Sequence, residues 1–237
     1  MAKLRVSEVY LSIQGEGPRV GHPTVFIRFA GCNLRCPGWP CDTPFAIDPT
    51  IFRSDAKLLA TDEIVAQVKA AAPHGANICF TGGEPFLQNS DSLRDLSDAL
   101  AVESFLIQEV FTNGTLRFPE WALDSFYFIM DFKLPGSGEE ASIEGTEGVG
   151  YMRRQNLMAL GDGDVLKFTI ADRADYEYAK EVYAAARYYP FDFYYGVVWG
   201  KLEASQLIEW ALADGLVEWI YTHQLHNVIW DRTKRGI

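Results

Sequence analysis

The chain has 237 residues, of which 48% are hydrophobic and 22% charged, with 15 Phe, 11 Tyr and 6 Trp. It can bury a full core as one large domain or two small ones, and no apolar run approaches the ~20 residues of a membrane span. The formal net charge of −11 argues against a nucleic-acid partner, because phosphate binding needs clustered Lys and Arg; the one basic cluster, 232–235, is too short, and a small substrate with no membrane partner is expected.

In chain order, Met1-Ala2-Lys3-Leu4-Arg5 leads straight into alternating sequence with no secretory h-region. With only four Cys, this points to reduced thiols and a cytoplasmic location. Extended segments are expected at 6–12, 24–29, 77–80, 107–112, 126–132, 165–170, 194–199 and 217–221. Helices are expected at 61–72, 92–102, 152–160, 175–187 and 204–213. The last carries Leu207, Ile208, Ala211 and Leu212 on one stripe. Asp62 and Glu63 lie in a first turn, where acidic groups favour the dipole. Strand–helix alternation implies an α/β protein with parallel strands, its active residues gathered at the strands' C-terminal ends. No linker divides the chain, so residues 1–237 read as a single domain, with an acidic, Gly-rich mobile excursion near 136–150.

Cys32, Cys36 and Cys41 fall within ten residues on a Pro/Gly-rich segment without strand or helix period. A structural zinc site takes four closed ligands, and iron–sulfur clusters are normally held by four thiolates. Three thiols on a four-iron cube would leave one iron free to bind a small molecule. A zinc site that borrows His22 or Cys79 is the competing reading, although Cys79 between Ile78 and Phe80 reads as a buried strand residue. Downstream, Thr81-Gly82-Gly83-Glu84-Pro85 follows a strand and lets backbone approach a ligand closely. Thr112-Asn113-Gly114, Asp131-Phe132-Lys133, Lys167, Gly200-Lys201 and 223–227 sit at corresponding places after or within later strands.

A cysteine triplet followed by Gly-Gly-Glu-Pro after the next strand resembles the radical S-adenosylmethionine superfamily. Within it, Ser12-Ile13-Gln14-Gly15-Glu16-Gly17, the run from Phe26 to Cys36, Cys41-Asp42-Thr43-Pro44 and the run from Gln224 to Trp230 resemble the 7-carboxy-7-deazaguanine synthase family. Matching segments extend from about Val6 to Trp230. The chain departs from the usual Cys-x3-Cys-x2-Cys, because Pro37-Gly38-Trp39-Pro40 widens the second gap to four residues; closing two extra residues costs little entropy. Asn227 follows His226 where Lys is common, and the chain continues past Trp230.

The resemblance implies an incomplete (β/α) barrel of about six parallel strands, a radical S-adenosylmethionine core. It implies a [4Fe-4S] cluster on Cys32, Cys36 and Cys41, with S-adenosylmethionine chelating the open iron. Gly83 and Glu84 would line the cofactor's methionine end, and Asp131, Phe132, Lys133, Val198, Trp199, Gly200 and Lys201 the rest. A flavodoxin or ferredoxin would supply the electron that yields a 5′-deoxyadenosyl radical. The implied activity is a carbon–nitrogen lyase turning 6-carboxy-5,6,7,8-tetrahydropterin into 7-carboxy-7-deazaguanine by hydrogen abstraction at C6, ring contraction and loss of ammonia. Glu16 suits a guanidine-like edge and Arg28 a carboxylate. The backbone of Ile13, Gln14 and Gly15, together with Thr81 and His226, completes the substrate set, and Thr43 would bind Mg2+. A glycyl-radical activase and a non-catalytic zinc- or iron-binding module are the alternatives. Open sheet edges and the aromatic surplus suggest a homodimer.

Overall fold

In a computed structural model, residues 3–39, 41–48, 50, 55–103, 107–231 and 234–236 are described. Pro40 of the cysteine loop and Met1, Ala2, Arg232 and Thr233 at the termini lie outside the described residues. The elements are β1 (Leu4–Ile13), β2 (Pro23–Phe29), α1 (Pro44–Ile47), β3 (Lys57–Leu59), α2 (Thr61–Ala71), β4 (Asn77–Gly82), α3 (Ser90–Ala101), β5 (Gln108–Thr112) and α4 (Glu120–Leu123). They continue with β6 (Tyr127–Phe132), α5 (Gly148–Ala159), β7 (Val165–Ile170), α6 (Arg173–Ala186), β8 (Asp192–Val197), α7 (Ala204–Ala213), β9 (Trp219–Tyr221) and α8 (His226–Ile229).

Strand residues alternate between the two faces of the sheet, so one face takes every second side chain. Val25, Ile27 and Phe29 of β2, Ile78 and Phe80 of β4, Phe128, Met130 and Phe132 of β6, and Leu166, Phe168 and Ile170 of β7 join one apolar core. Leu93, Leu96 and Leu100 of α3 and Tyr176, Ala179 and Val182 of α6 join the same core from the helix layer. The intervening positions, Arg28, Cys79, Thr81, Asp131, Lys167 and Thr169, line a cavity on the opposite face. Polar residues in the inward phase of otherwise apolar strands are what turn a packed barrel into a site.

The sheet has nine strands in the order β3-β1-β2-β4-β5-β6-β7-β8-β9. From β2 and β4 onward, each strand pairs in parallel with the next. The expected partial barrel of parallel strands is therefore present. Its first strand breaks the expected rule: β1 runs antiparallel to β2, with Tyr10 opposite Phe26 and Ser12 opposite Thr24. The short connection from Gln14 to His22 cannot hold the dozen or more residues of a parallel crossover. β3, unforeseen in the sequence, is three residues pairing antiparallel with β1. Both sheet edges are thus three-residue strands.

The helices begin earlier than their apolar stripes. The Asn89 side chain accepts from Ser92 N at 3.0 Å and the Asp172 side chain from Asp175 N at 3.0 Å, so each cap sits about a turn before the first core residue. The expected strand at 194–199 ends at Val197, and Val198 and Trp199 lie in the turn beyond. The stretch 136–150 starts in a 3-10 turn at Pro135–Ser137 and ends inside α5. Among the described residues, no helix is long and apolar enough to cross a membrane.

Two glycines separate crowding from backbone strain. Gly82 has φ +128°, and a Cβ there would meet the Phe29 carbonyl oxygen at 2.2 Å. Gly21 has φ +84° with nothing within 4 Å. Gly21→Ala should cost about 1–2 kcal/mol, the left-handed strain alone, and Gly82→Ala clearly more; equal losses in chemical denaturation would contradict the close approach.

Candidate active site

The connection between β1 and β2 turns into the barrel and makes a floor. Gln14 is buried, and its side-chain oxygen accepts from Gly15 N at 2.9 Å and Glu16 N at 3.4 Å. Its amide nitrogen donates to Glu109 of β5. A Cβ on Gly17 would meet Ile129 at 3.6 Å and Phe111 at 4.0 Å, and the Arg19 guanidinium lies 4.3 Å from the Tyr127 ring centroid. From above, the chain after β9 closes on this floor: Leu225 N donates to Gly15 O at 3.0 Å and Gln224 Nε2 to Glu16 Oε1 at 2.8 Å. The cavity between them measures about 670 Å³, within the range of small-molecule sites.

A line of alternating charges crosses the cavity wall. Glu16 pairs with Lys167, Lys167 Nζ lies 3.2 Å from Asp131 Oδ2, and Asp131 Oδ1 lies 3.0 Å from Lys133 Nζ. Thr169 adds a hydroxyl 3.3 Å from Asp131 Oδ2. Burial works against each charge, but neighbours of opposite sign win. Lys167 is held well above the ordinary lysine range by Glu16 and Asp131. Asp131 is held far below the usual carboxylate range by Lys133 and Lys167, and Glu16 is lowered by Lys167 and Gln224. Every member stays ionised at neutral pH.

The cysteine loop forms the opposite wall, with Cys32, Cys36 and Cys41 all lining the cavity. Cys36 has φ +45°, a backbone region that residues other than glycine rarely adopt. Leu34 N lies 3.4 Å and Asn113 Nδ2 3.8 Å from Cys32 Sγ, and Thr43 N lies 3.5 Å from Cys41 Sγ. Donors aimed at sulfur suit thiolate ligands. Burial pushes the Cys36 thiol up to about 11 and also raises Cys32, so metal loading would displace protons. Among the described residues, no three His, Cys, Asp or Glu side chains converge closely enough to close around a single ion. A four-iron cluster takes its thiolates on separate irons and does not require that convergence.

Residues 13–120 match the family model for a 4Fe-4S single cluster domain. A 7-carboxy-7-deazaguanine synthase of Clostridium acetobutylicum is 31% identical over 98% of this chain and 99% of its own length. The chain belongs to the 7-carboxy-7-deazaguanine synthase family. A relative of that name from Leptospira interrogans is 32% identical over 99% of this chain and 98% of its own. The crystal structure of QueE from Escherichia coli superposes with a TM-score of 0.68 at 22% identity, covering 93% of this chain and 95% of that one, which supports the fold.

Seen as a synthase of this family, the chain brings most of the expected residues to one cavity. Ile13, Gln14, Gly15, Glu16, Arg28, Thr43, Thr81, Gly83, Asp131, Lys133, Val198, Trp199 and His226 line it with the three cysteines. Glu84, Phe132, Gly200 and Lys201 do not line it. The buried Glu84 carboxylate accepts from Thr112 Oγ1 at 2.8 Å, Phe86 N at 3.1 Å and Asn113 N at 2.8 Å, tying β4 to β5; burial still raises it to about 7. Phe132 is out of phase with Asp131 and packs 6.1 Å from Phe168 in the helix-side core. Gly200 and Lys201 follow the turn away from the cavity, and Lys201 is exposed.

Arg28 is already engaged, with Nε 2.7 Å from Glu8 Oε1 and Nη2 2.7 Å from Tyr10 Oη. His226 is packed so tightly that a Cβ on Gly15 would meet its Nδ1 at 2.5 Å, and burial lowers its pKa, keeping the ring neutral at pH 7. Glu8, Tyr10, Glu109 and Thr169 are not among the residues the sequence singles out, whereas Asn113 lies in the expected Thr112-Asn113-Gly114 segment. The signal was present for Glu109 and Thr169, which are polar residues in the inward phase of β5 and β7. Glu109 is buried, raised to about 7 by that burial, and orients Gln14.

Removing one partner of a buried ion pair leaves an uncompensated charge, so Lys167→Met should cost about 3–5 kcal/mol. Adding Glu16→Gln should recover part of that loss; strict additivity in denaturant unfolding would contradict the coupling. The carboxylates titrate below their unfolded range, so their contribution is complete above about pH 5 and is lost as pH falls through the folded values. Lysine's contribution is present below its unfolded value and is lost only as pH rises past its raised one.

Proposed function

We propose that this chain converts 6-carboxy-5,6,7,8-tetrahydropterin to 7-carboxy-7-deazaguanine by radical chemistry, using a [4Fe-4S] cluster and S-adenosylmethionine. The observation that carries the reading is the meeting of the cysteine loop and the Glu16–Arg28 wall on one cavity. When bound, the cluster and S-adenosylmethionine supply the radical that abstracts hydrogen from substrate C6. The three thiols hold the cluster. The Gly82-Gly83 backbone is zipped to the β2 end by Gly83 N to Phe29 O at 3.0 Å and Glu84 N to Gly31 O at 2.8 Å, and both glycines line the cavity.

The remaining groups bind and orient the pterin. Glu16, ionised and fixed by Lys167 and Gln224, keeps acceptor capacity for the N–H edge of the guanidine-like ring. Arg28 keeps its charge because Tyr10 and Glu8 outweigh burial. Its Nε and Nη2 are held in place, so a substrate carboxylate meets a preorganised cation rather than a mobile one. His226, Thr81 and the backbone of Ile13 to Gly15 line the same side. Thr43, beside Cys41, would offer a hard oxygen to Mg2+ that also takes substrate oxygens. Val198 and Trp199 add apolar surface to the cavity lining, where S-adenosylmethionine would lie.

The reaction also needs an electron from a flavodoxin or ferredoxin, and free thiols fit the reducing cytoplasm. A homodimer would rely on exposed apolar side chains such as Leu212, Val217 and Ile220 near β9, because three-residue edges offer little for strand pairing.

Anaerobic reconstitution with iron and sulfide should give a brown protein that forms 7-carboxy-7-deazaguanine from the carboxypterin under reductant, read by product absorbance. Cys41→Ala should abolish the colour. Arg28→Ala should weaken substrate binding while uncoupled S-adenosylmethionine cleavage continues; loss of both together would contradict the substrate assignment.

A further inference from the structure

We propose that Glu139 is a positioning residue for the iron–sulfur cluster, holding the backbone turn at Cys36 and, as a fixed negative charge beside it, lowering the cluster's reduction potential. The inference rests on the cluster reading given above and concerns a residue outside the cavity lining.

The segment between β6 and α5 presses against the cysteine loop. Gly38 N donates to Ser137 O at 2.9 Å. A Cβ on Gly38 would sit 2.0 Å from Gly136 O, and one on Gly138 would sit 2.7 Å from Pro37 Cγ. The two stretches can touch only because each lacks a side chain there. Pro37 and Gly38 belong to the widened second cysteine gap, so the longer gap is the part that meets this clasp.

The clasp is anchored from behind. The buried Asp175 carboxylate accepts from Gly136 N at 2.7 Å and from Ala171 N at 3.1 Å. Arg153, fully buried, donates to the Glu140 carbonyl, with its guanidinium 4.9 Å from the Phe132 ring centroid. Between these anchors, one oxygen of Glu139 accepts from both Arg35 N and Cys36 N at 2.6 Å. These bonds hold Cys36 at its φ of +45°, a conformation that needs support from its surroundings.

Cluster potentials follow local charge and the hydrogen bonds reaching the sulfurs. Amides that donate to cluster sulfur stabilise the reduced state, and here two of them are turned onto a carboxylate. The carboxylate charge itself opposes adding an electron. Both effects make the cluster a stronger reductant. Lys133 acts in the opposite sense but is paired with Asp131 at 3.0 Å, and Arg153 sits behind the clasp on the Glu140 carbonyl, so Glu139 is the anion whose carboxylate reaches the Cys36 turn itself.

The test compares reconstituted wild type, Glu139→Gln and Glu139→Ala by redox titration of the cluster and by iron loss to a chelator. Gln keeps an oxygen acceptor for the two amides and removes only the charge. Its cluster should titrate at a more positive potential, with the one-electron reduction constant raised about tenfold, or about 59 mV. Glu139→Ala should show that shift and also lose iron several-fold faster. An unchanged potential in Glu139→Gln overturns the tuning, and unchanged iron release in Glu139→Ala overturns the positioning; should Glu139→Ala fail to fold, Glu139→Gln still decides the tuning. A wild-type protein that takes up no cluster would sink the underlying reading instead.

Discussion

The charged row Glu16, Lys167, Asp131 and Lys133 is the constraint on which the rest of the site depends. Glu16 and Lys167 are buried and Asp131 and Lys133 partly so, which is tolerable only when each faces its opposite, and the row achieves this by taking members from three different places in the chain. Glu16 comes from the floor, Lys167 and Asp131 from neighbouring parallel strands, and Lys133 from just beyond β6. The register that sets Asp131 opposite Lys167 is therefore tied to the position of the β1–β2 connection. Lys133 carries the row to the cluster wall, where it lies 5.9 Å from the Trp39 ring centroid. The two halves of the cavity, one lined by Glu16 and Arg28 and the other by the cysteine loop, are thus joined by a single electrostatic element.

That arrangement explains why the carboxylates here play different parts. Glu16 and Asp131 are lowered because lysines face them. Glu84 and Glu109 are raised to about 7 because burial outweighs their hydrogen bonds. The first pair can meet a ligand as fixed anions. The second pair works within the fold, Glu84 by gathering donors from two strand ends and Glu109 by holding the Gln14 side chain. Sequence alone presents four acidic residues near strand ends, and only the surrounding charges separate the roles.

Much of the fold was legible because apolar runs of strand length alternate with helical stripes, and the fifth to seventh strands were placed to within one residue. What escaped was non-local. The antiparallel β1 looks like any other alternating strand, and only the length of the connection to β2 forbids a crossover. The three-residue β3 carries too little pattern to register. In the site, the cysteine loop, Glu16 and Arg28 announce themselves by motif, whereas Glu84 follows the same motif yet turns away from the cavity to bind Thr112 and Asn113. Phe132 was carried along with Asp131 and Lys133, although alternation sends it to the other face. Glu139 has no signature at all, since its partners are backbone amides a hundred residues away.

The central claim is that three thiolates hold a cluster whose remaining iron is open to S-adenosylmethionine. Electron–nuclear double resonance on the reduced, reconstituted protein, with S-adenosylmethionine labelled at its amino nitrogen and carboxylate oxygen, tests this most directly. The account predicts hyperfine coupling from both labels to the cluster. A spectrum unchanged by the labelled molecule, or one showing a fourth protein ligand on iron, would contradict it.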